Sequence, residues 1–281
     1  MDLDSIYASH PLSERTILTR LERQGTPRSG LREWALAVDP ETEITDQNHI
    51  GGVQAVLALA VAAHVSTTSH VVEVGSGLGG SARVLAQAFG CSVVGIEQDE
   101  CRYEGAIRLT DLVGLSSRVR FLRHDALTAA AGIEHGTVDV LWGQGAWAHF
   151  PSPERFLDLW LPVLKIGGRV AVSDAFLTRE PVRADESDAV RDLDRLWSAH
   201  LMTLDRWRCA LEARGCVVHH CRDWTGEARI HFANLLSASS RWPREDLTAA
   251  ERDGWLHASV LLERSLICEA QLVAVKSARI A

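Results

Sequence analysis

A short apolar run, HVVEV at 70–74, passes directly into the turn GSGLGG and then into a helically patterned segment, Ser81 to Phe89. Gly75, Gly77 and Gly80 satisfy G-x-G-x-x-G in the setting that gives the pattern meaning, after a strand and at the opening of a helix. Glycines there permit a tight turn and a close approach of backbone to ligand, and the first N–H groups of the helix are free to face it. Downstream, the runs SVVGIE, RVRFLRHD, VDVLWGQ and GRVAVSDAF alternate with helical segments. Such alternation predicts strands joined by crossover helices, and with the late runs CVVHHCRDW and LICEAQLVAVKS it gives an α/β, doubly wound, Rossmann-like, mostly parallel seven-stranded sheet.

Two further textures surround this core. Residues 1–69 carry three helical stretches, Ser13 to Arg23, Gly30 to Val38 and Gly51 to His64, broken by GTPRSG and DPETEITDQNH, and read as an N-terminal helical lid. Residues 70–281 read as the core, with helical cap insertions at about 177–203 and 224–264. The Trp-bearing second insertion makes a homo-oligomer the expectation.

Charge and composition narrow the partners. Lys+Arg 29 against Asp+Glu 37 gives a net charge of −8, which disfavours nucleic acid and anionic lipid. Apolar runs such as Val53 to Ala63 fall short of the roughly 20 residues a membrane crossing needs, and the first residues are acidic. A soluble, unexported, cytoplasmic protein is expected. The six cysteines include no C-x-x-C pair, and His219 and His220 are adjacent and so point to opposite strand faces; no metal site is predicted.

The acidic residues around the turn indicate the ligand. Glu97 ends SVVGIE, where a carboxylate can accept both hydroxyls of a ribose. Glu73 lies inside the first strand, badly placed beside a pyrophosphate and well placed beside a cationic sulfonium and amino group. Asp125 and the N–H of Ala126, ending RVRFLRHDA, can read an adenine edge. An adenosine cofactor bearing a cation fits better than a dinucleotide. An NAD(P)-dependent oxidoreductase is the alternative, as is a fold repurposed for cyclisation or binding.

The ordered blocks VVEVGSGLGG, VVGIEQDE, RFLRHDAL, VDVLWGQGAWAHF and LKIGGRVAVSD resemble the motif series of class I S-adenosylmethionine-dependent methyltransferases, over about Val71 to Phe176. DQNHIGG is similar to the DQxHxGG element of the sarcosine/dimethylglycine and tocopherol-type small-molecule branch. The resemblance implies S-adenosyl-L-methionine as cofactor, with Glu73, Gly75, Ser76 and Gly77 at its methionine end. It implies Glu97 on the ribose with Gln98 beside it, Asp125 and Ala126 on the adenine, Gln144 facing the sulfonium, and Gln47 closing over the cofactor from the lid. Members of the family often carry Asp where this chain has Glu97; the longer carboxylate still bridges the diol.

Methyl transfer from a sulfonium is an in-line displacement, so alignment and desolvation dominate and a base is needed only if the acceptor must lose a proton. His149, just after the fourth strand, is the candidate base, a hydrogen-bonded prop for the substrate being its other reading, and His49 is the alternative base. Trp142 and Trp147 fall at the expected cleft. Trp147 and Trp197 are the candidate acceptor walls, since indole favours flat or cationic partners. The expected substrate is a small aromatic or amine-bearing specialised metabolite, methylated on C, N or O, as in secondary metabolism.

Overall fold

A computed structural model describes residues 12–128, 130, 132–242 and 247–277. Helices α1 (Glu14–Arg23), α2 (Glu33–Ala37) and α3 (Gly52–Ala62) precede the sheet. Then come β1 (His70–Val74), α4 (Gly80–Phe89), β2 (Ser92–Glu97), α5 (Glu100–Leu112), β3 (Val119–Arg123) and β4 (Val138–Gln144). They are followed by α6 (Pro153–Trp160), β5 (Leu164–Leu177), α7 (Ala184–Trp197), α8 (Leu204–Glu212) and β6 (Cys216–Asp223). The last elements are α9 (Thr225–Ser239), α10 (Ala249–Glu263) and β7 (Ile267–Lys276).

The strands form one seven-stranded sheet in the order β3-β2-β1-β4-β5-β7-β6. Pairing is parallel from β3 to β5, and β7 runs antiparallel to both β5 and β6. Successive side chains of a strand point to opposite faces, and the central strands are apolar on both. Val71 and Trp142 accordingly pack with Leu85 in one cluster, while Val72, Leu141 and Trp160 pack in the other. The chain leaves β1 toward β2 on one side and later returns to β4 on the other. Strand order therefore reverses between β1 and β4, and a crevice opens at their carboxyl ends, where ligands of open α/β sheets bind.

The N-terminal helices are expected as a lid but are built into the core. Ile17, Leu36, Val56 and Leu59 belong to the same buried cluster as Val71 and Leu85. The fastening is polar as well. Arg83 on α4 is fully buried and donates to Glu33 at 2.8 Å and to Asp46 at 2.6 Å. Its Nη1 also reaches the Leu78 carbonyl at 2.7 Å and the Thr110 hydroxyl at 3.1 Å, so every nitrogen of the buried cation has a partner.

Helix α7 lies in the stretch 177–203, and α9 and α10 lie in the stretch 224–264. Helix α10 packs against both α7 and α9, and residues 243–246 of the second insertion lie outside the described residues. Strand β6 slips register between Val218 and His220. Among the described residues, no helix is long and apolar enough to cross a membrane.

Candidate active site

The glycine turn forms where β1 meets the crevice. Gly75 has φ +78°, and a Cβ there would stand 2.5 Å from the Cβ of Ala146 in the turn after β4, so a larger residue is excluded on two counts. Glu97 at the tip of β2 ties the turn in place. Its Oε2 accepts the Gly77 N–H at 2.7 Å, and its Oε1 accepts the Asp99 N–H at 2.9 Å. Each oxygen keeps a second lone pair for a ligand hydroxyl. Burial pushes this carboxyl above its usual range.

Glu97 lines the crevice together with Glu73, Ser76, Gln98, Asp125 and Gln144, and Gly75, Gly77 and Ala126 complete this wall. Three buried polar atoms on this wall have no hydrogen-bond partner: Glu73 Oε2, Ser76 Oγ and Gln144 Nε2. Burial pushes the Glu73 carboxyl up to about 8. Buried polar groups are ordinarily satisfied, so three orphans converging on one crevice describe a cradle that a polar ligand completes. A ligand placing positive charge at Glu73 and a diol at Glu97 matches the donor set. Asp125 Oδ1 already accepts the Leu127 N–H at 2.8 Å, which fixes its loop beside the crevice.

Behind the crevice lies a larger chamber of about 470 Å³, walled in part by Ile50, Trp197, Phe232 and Trp255. Asn48, His49, Gly145 and His149 line both cavities, so the two meet at these residues. His49 lies 3.1 Å from the Ser81 hydroxyl and 3.2 Å from Gln47 Oε1 through Nε2, and 3.3 Å from the Ile50 carbonyl through Nδ1. Burial pushes its imidazole down to about 4. His149 Nδ1 lies 3.1 Å from the Ser198 carbonyl, and burial lowers its imidazole as well. Both rings are thereby held neutral, the form able to take a proton.

Three expected placements are corrected. Trp147 lines neither cavity: its indole is buried 4.6 Å from the Phe156 ring and 5.6 Å from the Trp207 ring, measured between centroids. The tight 3-10 turn Trp147–His149 sends its first and last side chains to opposite sides, so His149 faces the cavities and Trp147 the core. Trp142, also expected at the cleft, is likewise wholly buried, donating to Gln144 Oε1 at 3.2 Å. Gln47 faces the chamber rather than the crevice, because its amide is drawn to Asp46 Oδ1 at 2.7 Å and toward His49. Trp197 does line the chamber, stacked on Phe232 with centroids 6.2 Å apart.

Asp174 is a residue that sequence reasoning missed. Its Oδ2 accepts the backbone N–H groups of Ala146 at 3.1 Å, Trp147 at 2.7 Å and Ala148 at 3.2 Å, which sets the turn carrying His149. The available signal was the acid closing the apolar run GRVAVSD, at the carboxyl end of a buried strand.

Residues 72–172 match the family model described as a methyltransferase domain. The sarcosine/dimethylglycine N-methyltransferase of Halorhodospira halochloris is 28% identical over 59% of this chain and 58% of its own length. The 2-methyl-6-phytyl-1,4-hydroquinone methyltransferase of Synechocystis is 31% identical over 55% of this chain and 49% of its own length. The chain thus spans about half the length of the curated relatives it matches. A solved structure of a putative sarcosine dimethylglycine methyltransferase from Galdieria sulphuraria superposes with a TM-score of 0.70 at 18% identity, covering 93% of this chain and 98% of that one, a likeness of fold. Residues 72–172 thus form a methyltransferase domain, and its glycine turn is the one closed by Glu97.

Proposed function

We propose that the chain moves a methyl group from S-adenosyl-L-methionine, held in the crevice, to a small acceptor held in the chamber. The observation that carries this is the junction itself. Two cavities of different chemistry, one a polar cradle and one walled in part by Trp197, Phe232 and Trp255, share a wall at Asn48, His49, Gly145 and His149. The donor, when bound, supplies an electrophilic methyl on a positively charged sulfur. Glu73 sets its cationic end, Glu97 with Gln98 its ribose, and Asp125 with Ala126 its adenine. Ser76 and Gln144 offer unpartnered polar atoms to the reacting end. The neutral imidazole of His149, with His49 beside it, takes the acceptor's proton where the acceptor must lose one.

The acceptor is an aromatic or amine-bearing metabolite, a reading supported by Trp197, Phe232 and Trp255 on the chamber wall. A cytoplasmic role in specialised metabolism belongs to the same reading. So does a homo-oligomer, for which Leu256 and Val260, exposed on α10, offer apolar contact.

Calorimetric titration with S-adenosylmethionine, S-adenosylhomocysteine and NAD(P) tests the cofactor, and a methyl-labelled donor with a metabolite extract tests transfer. Binding of the first two and not the third, with label in a small product, is the expected result. Binding of NAD(P) alone overturns it, and donor binding without turnover supports a repurposed fold instead.

A further inference from the structure

The chamber's charge is one-sided. Its wall carries Asp39, Glu43, Asp174, Glu227, Glu251 and Glu269, and among the described residues neither lysine nor arginine lines it. Three of these carboxylates are already served. Asp39 lies 3.8 Å from Arg20, Glu227 lies 3.2 Å from Arg222, and Asp174 accepts four backbone N–H groups.

Glu269 differs from them. It stands on β7 opposite Ala175 of β5 and is only 3% exposed. Its Oε1 accepts the Ser173 hydroxyl at 3.1 Å, while its Oε2 has no hydrogen-bond partner. The carbonyl of the same Ser173 accepts the Gly145 N–H at 3.0 Å, which brings the carboxyl within one residue of the junction between the cavities. Leaving a buried carboxyl oxygen bare on a cavity wall is costly unless a ligand completes it.

We infer that Glu269 anchors a protonated amine of the acceptor, whose aromatic body lies against Trp197, Phe232 and Trp255, so that the substrate class is an arylalkyl amine. The inference rests on the reading of the chamber as the acceptor site. Burial and the neighbouring Asp174 push the Glu269 carboxyl well above the usual range, so without a cation beside it the group holds a proton. An arriving ammonium displaces that proton to solvent and takes its place. His49 and His231, the histidines of the chamber wall besides His149, are each pushed down to about 4 by burial and bring no competing positive charge.

The test is calorimetry on the full chain. S-adenosylhomocysteine is titrated first; then tryptamine and phenethylamine are compared with tryptophol and phenylethanol, the matched alcohols, in its presence and absence. The amines are expected to bind about thirtyfold or more tightly than their alcohols, the scale of a buried charge pair. This comparison needs no variant. Glu269→Gln is expected to erase the difference by weakening the amines alone. Equal affinity of amine and alcohol, no amine binding, or a preference that survives Glu269→Gln each overturns the inference. Failure of S-adenosylhomocysteine to bind overturns the donor reading instead, and the titrations without it then decide on the amine by themselves.

Discussion

Asp174 Oδ2 lies 2.7 Å from the backbone nitrogen of Trp147, and the same oxygen holds the nitrogens on either side. One carboxylate on β5 therefore sets the direction of the turn from which His149 reaches the junction. Asp174→Ala strands all four backbone donors at once and is expected to cost about 3 kcal/mol or more, read as a lower urea midpoint. Asp174→Asn keeps an acceptor oxygen and should lose less. Equal stability of the alanine variant and the parent would show that the turn holds itself.

Trp147 separates packing from recognition. Its ring is buried against Phe156 and Trp207, so Trp147→Ala should destabilise by about 3 to 5 kcal/mol while acceptor KM in the folded protein is unchanged. Trp197→Ala should do the reverse, raising acceptor KM with a smaller loss of Tm. A large KM change on removing Trp147 would return it to the acceptor wall.

Glu73 couples donor binding to protons. Its carboxyl is pushed up to about 8 by burial, so at neutral pH the free protein holds a proton there. A cationic ligand favours the ionised form, and binding must therefore expel that proton. Donor affinity should rise with pH until about 8 and level off with respect to this group. Calorimetry in buffers of different ionisation enthalpy should show proton release near neutrality that Glu73→Gln removes. Identical proton release by the two proteins would refute the assignment.

Glu97 has two duties, since its oxygens fasten Gly77 and Asp99 and also face the crevice. Glu97→Ala should weaken donor binding by about 1.5 to 3 kcal/mol, the worth of hydrogen bonds to a charged group. Donor affinity that does not change would contradict the ribose role.

The two histidines of the junction are told apart by kinetics. His149→Ala should lower kcat by about a hundredfold with donor affinity intact if it takes the acceptor's proton. An untouched rate at saturating acceptor would transfer the role to His49, tested the same way. His49 also predicts an acid sensitivity. Its folded value of about 4 lies below the ordinary 6.5, so protonation favours unfolding and stability should fall as pH drops from 6.5 toward 4. His49→Gln should flatten that part of the profile.

Local information carried most of the crevice. The glycine turn, Glu73, Glu97 and Asp125 sit at strand ends recognisable from their own neighbours in sequence, and the structure assembles them along one wall. Glu269 was out of reach because it meets Ser173 only through the antiparallel pairing of β5 with β7, between residues far apart in the chain. Trp147 was misplaced because one residue of shift in a tight turn exchanges cavity for core, and the group that fixes the shift, Asp174, comes from another strand. The N-terminal helices read as a separate layer because their buried charges, Glu33 and Asp46, find their counterion only in α4.

That counterion also decides how molecules come and go. With Arg83 sealed from water between two acids, swinging the Glu33–Asp46 stretch outward would break the buried Arg83–Asp46 ion pair and strip Glu33 of its partner, so the roof over the chamber is riveted and not hinged.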